Sequence, residues 1–282
     1  ALTTIPEKIE KEYGKKASIL ASLLVFLLVS PAPYLLMLAN IFTLILNIKL
    51  IYALLLSAIV SSIYLFKGGY KSDLYTDVFE FFIMFIGFGL LFCFAYLKAG
   101  DFTYLVNNLP AEHINPFSKV SIGYIVVWFL IALWTFADPG FHQRCNAAKN
   151  GNVAKYGILI SILFWILFDF LTNISGLYSK VILPELNKPI MAFPLLAEKI
   201  LPSGFKGIFY AALFATVLST LNSFLFLSAT TFGNDLFPKI TQKYNNITIN
   251  TRLGLAVSLL ISITLAYYIQ SVIDLWYYIG SI

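Results

Sequence analysis

The sequence predicts an all-α, polytopic membrane helical bundle, on three observations. The 282 residues are 59% hydrophobic, 17% aromatic and only 12% charged, with a mean hydropathy of +0.83, and a water-soluble domain of this length cannot hide so much apolar surface. The apolar residues gather in long runs, most of them near the ~20 residues that cross ~30 Å of hydrocarbon. A run in lipid must also satisfy its own backbone, which an open strand edge cannot do, so each is expected to be a helix. The same composition bears on function. Two cysteines, Cys93 and Cys145, form no disulfide framework and have no metal-ligand spacing. Two histidines without a convincing triad or metal partner leave an enzyme unexpected. The net charge of +5 reports topology rather than nucleic-acid binding, so no nucleic-acid partner is expected.

Seven spans follow in order. The first, Ser18 to Leu46, is too long to stand upright, and Pro31 and Pro33 are expected to kink or tilt it. Leu50 to Phe66, Val78 to Leu97, Val120 to Ala137, Tyr156 to Tyr178, Gly207 to Phe232 and Leu253 to Ile269 come next, and an eighth begins near Leu275. Pro139 and Gly140 in "ADPGF" should break the fourth before an amphipathic stretch, "HQRCNAAK". "IMAFPLLAEKILP", Ile190 to Pro202, is too short and broken to span, which suits a short helix on the outer face. The chain begins at Ala1 and stops inside a fresh apolar run, so it reads as one partial transmembrane domain over residues 1–282.

Basic residues orient the bundle. With the N-terminus in the cytoplasm of a multi-pass cell-membrane protein, twelve of the nineteen Lys and Arg fall inside, both arginines among them. "NIT" at Asn246 is then cytoplasmic and is discounted as a glycosylation site.

Polar atoms inside the spans carry the functional signal. In "ATVLSTLNS", Ala215 to Ser223, the residues Thr216, Ser219, Thr220, Asn222 and Ser223 share a helix face about 160° wide. Ser219 lies about 18 Å along the helix from Gly207, close to the midplane. Small and hydroxylated residues let membrane helices pack closely. They also offer the neutral oxygens that a hard cation such as Na⁺ requires. The residues alone leave both readings open. Carboxylates in spans are costly and therefore functional candidates. Asp77 stands at the cytoplasmic end of the third span with Glu80 one turn on, Asp138 in "ADPGF", and Asp169 mid-way through the fifth. Asp77 is either an ion ligand near Ser223 or an interfacial charge paired with Lys71 or Arg144.

Four motifs in order resemble the sodium:solute symporter family. "TTIPEKIEKEYGKK" (Thr3 to Lys16) resembles the family's "TIPEFLEKRY", with Glu12 where a basic residue is usual. "YLFKGGYKSDLYTDVFEF" (Tyr64 to Phe81) resembles "Y-x-x-x-GG-x-x-A-V-x-x-TD-x-x-Q", with Ser72 and Glu80 replacing Ala and Gln. "DPGFHQRCNAAKN" (Asp138 to Asn150) is similar to "QR-x-x-AAK", and Leu201 to Phe237 to the long stretch that ends in "DIY" or "DLY".

The resemblance implies a ten-helix, five-plus-five inverted-repeat core working by alternating access. This chain would supply core helices three to nine and the start of the tenth. It implies sodium-coupled symport of a small organic solute (a sugar, amino acid, carboxylate or vitamin), with Na⁺ as coupling ion and the lipid bilayer as surroundings. Carried over residue by residue, Na⁺ would be held by the carbonyl of Thr216 and the hydroxyls of Ser219 and Thr220. Some members hold a second Na⁺, for which the matching residues are Ser219, Asn222, Ser223 and Asp77. Asn222 departs from the serine found where that second site is best formed. The substrate would face Trp134 and Thr135 in the sixth core helix, and Trp165 and Asp169 in the seventh. Asp169 keeps proton coupling as a minority alternative. Two other classes remain: a symporter-like sensor module of a signalling protein, and a cation channel.

Overall fold

The fold is taken from a computed structural model that describes residues 4–63, 65–115, 117–118, 120–186, 188–241 and 246–280. For residues 67–70, 131, 134 and 137 it describes the backbone alone. Every regular element among the described residues is helical, as the composition requires. Among the described residues, five helical stretches are long and apolar enough to cross a membrane: Ile5–Leu46, Lys71–Ala99, Gly151–Ile182, Ser203–Thr241 and Ile247–Ile269.

The first stretch is two helices, α1 (Ile5–Leu28) and α2 (Ala32–Leu46), and the break falls where the prolines put it. Pro33 lacks the N–H that would continue the ladder, so the last turn of α1 closes by Ser30 N donating to the Leu27 carbonyl at 3.2 Å. Thr4 opens α1 with a reciprocal capping box: Glu7 N donates to Thr4 Oγ1, and Thr4 N to Glu7 Oε2, each at 3.2 Å. Gly14, at φ 82° and ψ 177°, interrupts α1. The chain folds back there, so that Ser18 Oγ donates to the Pro6 carbonyl at 2.8 Å.

α3 (Leu50–Ser62) is shorter than its expected span, and α4 (Leu65–Ala99) is much longer. The stretch between the second and third expected spans, residues 67–77, is helical instead. Charged residues end an apolar run without ending a helix, because Lys, Asp and Ser are tolerable helix residues once they leave lipid. After α5 (Phe102–Asn108) and α6 (Ala111–Ile114), the fourth expected span is only ten residues of α-helix, α7 (Ile122–Ile131). It continues as a 3₁₀ segment, Ala132–Ala137. The chain breaks at "ADPGF" as expected, and α8 (Pro139–Ala147) starts at Pro139 itself, with Asp138 capping it by accepting from Phe141 N at 3.0 Å.

α9 (Gly151–Ile182) is capped by Asn150, whose Oδ1 accepts from Val153 N at 3.0 Å. α10 (Ala192–Ile200) is the short helix expected in Ile190 to Pro202. α11 (Ser203–Thr230) runs into a π-helical turn, Thr231–Leu236, and then α12 (Phe237–Thr241). Asn246, discounted as a glycosylation site, caps α13 (Ile247–Ile269) by accepting from Thr248 N at 2.8 Å. α14 (Val272–Gly280) is the start of the eighth run.

The helices form two compact units. The first comprises Ala1–Phe79, Asp138–Ala147 and Thr216–Ile282. In it α2 packs on α3, α13 and α14, while α1 and α13 pack on the π-helical turn. Leu35, Leu36, Leu54, Leu225 and Leu255 are wholly buried here. The second comprises Glu80–Ala137 and Ala148–Ala215. Its core gathers Phe88, Leu91, Tyr178, Leu196 and Phe209, and the Tyr178 hydroxyl donates to the Gly100 carbonyl at 2.8 Å. The outward residues of α9, such as Leu163 and Ile166, are exposed apolar side chains, the surface that a helix offers to lipid.

Candidate functional site

Three helices of the first unit bring charged and hydroxylated side chains together. Asp73 and Asp77 are four residues apart on α4, one above the other on a single face. α8 carries Arg144, and α11 carries Ser223. Arg144 Nη2 donates to Asp77 Oδ2 at 3.2 Å and to Ser223 Oγ at 2.8 Å. Ser223 Oγ in turn donates to Asp73 Oδ2 at 3.4 Å. Gly140 leaves room beside the guanidinium, since a Cβ there would lie 3.0 Å from Asp138 Oδ1 and 3.5 Å from Arg144 Nη1.

Burial makes the cluster consequential. Asp73 is 1% exposed and Asn222 is 0% exposed. Oδ1 of Asp73, Oδ1 of Asp77 and both amide atoms of Asn222 are buried without a hydrogen-bond partner. A buried polar atom with no partner costs about 1–3 kcal/mol, more when charged, so such a group is kept for a reason. The orphaned atoms are mainly oxygens, the donor type that hard alkali cations take. The site residues therefore fit a bound cation chemically.

The structure brings Asp77 and Ser223 to the same guanidinium, which is the Arg144 pairing that the sequence offered as the alternative to an ion ligand at Asp77. Thr216, Ser219, Thr220 and Ser223 are partly buried along α11. The Thr216 carbonyl accepts from Thr220 Oγ1 at 3.4 Å. Asp138, expected as a candidate acid, serves as the α8 cap.

The residues expected near the substrate belong to the second unit. Thr135 is exposed in the 3₁₀ segment, and the Trp134 side chain lies outside the described residues. Trp165 is 52% exposed and Asp169 is exposed one turn along the same helix. The Asp169 carbonyl accepts from Asn173 Nδ2 at 2.7 Å. Sequence reasoning missed Asp73. Its signal was available, because it precedes Asp77 by four residues and stands at the valine of the "A-V-x-x-TD" motif.

With this geometry in hand, the family model described as the sodium:solute symporter family matches residues 1–282. The chain belongs to the sodium:solute symporter family. Among curated relatives, the sodium/glucose cotransporter of Vibrio parahaemolyticus is 29% identical over 83% of this chain and 50% of its own length. The sodium/pantothenate symporter of Haemophilus influenzae is 26% identical over 66% of this chain and 40% of its own length. Sodium/glucose cotransporter 1 of Oryctolagus cuniculus is 23% identical over 94% of this chain and 48% of its own length. The chain thus spans half or less of the length of these relatives. All three are transporters by name, and the five long apolar helical stretches among the described residues make this sodium:solute symporter family member a multi-pass membrane protein.

Proposed function

We propose that this chain is part of a Na⁺-coupled symporter that carries a small organic solute across the membrane by alternating access. The observation that carries the reading is the Asp77–Arg144–Ser223 cluster beside a wholly buried, unpartnered Asn222. Polar oxygens are retained inside an apolar span at an energetic cost that close helix packing alone does not require. The Thr216 carbonyl with Ser219 and Thr220 holds one Na⁺; Ser219, Asn222, Ser223 and Asp77 serve a second.

The N-terminus of the segment faces the cytoplasm, on the bias of Lys and Arg. Neutral hydroxyls do not titrate near neutral pH, so Na⁺ or Li⁺ drives the cycle better than H⁺. Coupling requires that the ion bind one conformation more tightly than the other, because equal affinity shifts nothing. On the solute side, Trp134 and Trp165 offer aromatic faces, Thr135 a hydroxyl and Asp169 a carboxylate. The names of the relatives, glucose and pantothenate, make a sugar or a vitamin the first solutes to try, with amino acids and other carboxylates after them.

The test is a Na⁺ titration of the purified natural protein in detergent at constant ionic strength, with choline as control. Saturable thermal stabilisation, enhanced by one solute class, is the expected result. If Ser219→Ala with Thr220→Ala leaves the Na⁺ response unchanged, the first ion site is wrong. If the folded protein shows no Na⁺ response at all, sodium coupling is wrong.

A further inference from the structure

Charge bookkeeping in the α4–α8–α11 cluster distinguishes this chain from the pattern of its own motif. Where the motif has one aspartate at this face, this chain has two, because Asp73 replaces the valine. One guanidinium serves both. Arg144 Nη2 is 3.2 Å from Asp77 Oδ2, so the charge of Asp77 is offset by Arg144. Among the described residues, Asp73 has only the long 3.4 Å hydrogen bond from Ser223, and its Oδ1 has none. Lys71, two residues before Asp73, has its ammonium 6.0 Å from the Tyr75 ring centroid.

The side chain of Asp77 is 24% exposed and that of Arg144 39% exposed, whereas Asp73 is 1% exposed. The more deeply buried carboxylate is thus the one with no ion pair of its own among the described residues. A buried carboxylate short of counter-charge is costly to keep ionised. A cation near its free oxygen removes that cost, and the attraction is strongest where water is excluded.

We infer that Asp73 is a ligand of the second cation and the residue that supplies the net negative charge of that site. With Asp77 paired to Arg144, a valine at position 73 would leave the cluster neutral, and the site would hold a monovalent cation only through hydroxyl and amide dipoles. With Asp73 present, the cluster offers the unpartnered Oδ1 atoms of Asp73 and Asp77 and the Ser223 hydroxyl as oxygens, with one excess negative charge. Such oxygens suit Na⁺, and those named are not the Asp77 Oδ2 that Arg144 holds. The inference rests on the sodium-coupled reading above and adds a residue and a stoichiometry to it.

Equilibrium binding of radioactive ²²Na⁺ to the purified natural protein tests it without knowledge of the solute. In Asp73→Asn and Asp73→Val, the bound count is expected to fall by one Na⁺ per protein, or the weaker binding phase to weaken roughly tenfold or more. Ser219→Ala with Thr220→Ala is measured beside them. If that double variant loses Na⁺ while both position-73 variants keep the wild-type count and affinity, the role of Asp73 is overturned and the sodium reading stands. If the double variant also keeps its Na⁺, both fall together.

Should neither position-73 variant fold, the wild-type protein decides. A hydrophobic carbodiimide labels buried carboxyls, and peptide mass spectrometry reads the label at Asp73. Protection by Na⁺ but not by choline is expected, and labelling that ignores Na⁺ overturns the inference.

Discussion

Gly254→Ala should loosen the first unit, by an amount the geometry bounds. Gly254 lies inside α13, where α11 passes so close that a Cβ would sit 2.0 Å from the Ala229 carbonyl oxygen. The same Cβ would be 2.8 Å from the carbonyl carbon and 2.9 Å from Cα of Ala229. Ordinary contact begins at 3.4 Å, so the helices must part by about 1.4 Å locally. The obstacle is backbone rather than the end of a flexible side chain, which puts the cost in the upper part of the overpacking range, about 2–3 kcal/mol. Alanine returns at most about 1 kcal/mol as the better helix former. The net loss is therefore about 1–2 kcal/mol, or a few degrees of thermal midpoint in a chain of this size. The controls are Gly157→Ala and Gly176→Ala in α9, where a Cβ meets nothing within 4 Å. They are expected to be neutral or to stabilise by up to about 1 kcal/mol. Midpoints are read by heating the detergent-solubilised protein and following the surviving size-exclusion peak. If Gly254→Ala is as stable as the two controls, close packing of α13 on α11 is wrong.

Gly87 makes the matching contact in the second unit, where a Cβ would lie 2.1 Å from the Ala212 Cβ. Gly87→Ala should destabilise by about 1–2 kcal/mol, and adding Ala212→Gly should restore most of it; a double variant no better than the single one would refute the contact. Glu198 accepts from Lys206 at 2.6 Å and from the Tyr210 hydroxyl at 3.0 Å, and these bonds hold its carboxyl below the ordinary value of 4.5. A depressed carboxylate contributes its stability above its unfolded pKa and loses it as pH falls through the folded value. The midpoint difference between wild type and Glu198→Gln should therefore be present at neutral pH and vanish in acid, and a difference that grows in acid would contradict the bond. Lys239 pairs with Glu10 at 2.8 Å and donates to Ser18 Oγ at 2.5 Å with its side chain 9% exposed. Lys239→Met should cost about 1–2 kcal/mol and speed proteolysis near Gly14, whereas an unchanged cleavage rate would show that this contact does not hold the start of α1.

Much of the fold was legible because the signals were local. Pro31 and Pro33 broke the first span, "ADPGF" broke the fourth, and the short α10 followed from a run too interrupted to cross. What escaped was set by neighbours. Hydropathy measures the surrounding solvent rather than helicity, so Lys71, Ser72 and Asp73 concealed the first turns of α4. The π-helical turn at Thr231–Leu236 has no pattern of its own. It lies where Gly233 meets α13 so closely that a Cβ would be 2.1 Å from the Asn250 carbonyl oxygen, and an inserted residue is one way for a helix to accommodate such a contact.

The candidate site divides along the same line. Asp77 and Ser223 could be paired from depth alone, because each sits a countable number of 1.5 Å steps from the end of its helix. Arg144 could be suspected, since it was a possible partner for Asp77, but not as the group that bridges both. Asp73 was signalled only as a departure, an aspartate where the family motif has a valine, four residues before Asp77. Its significance depends on burial and on a charge count over three helices, neither of which a motif records. A departure from a family pattern is most informative where it puts an unbalanced charge in a buried position. Position 73 meets that condition more directly than Asn222, because an amide in place of a serine changes the shape of the site and leaves its charge as it was.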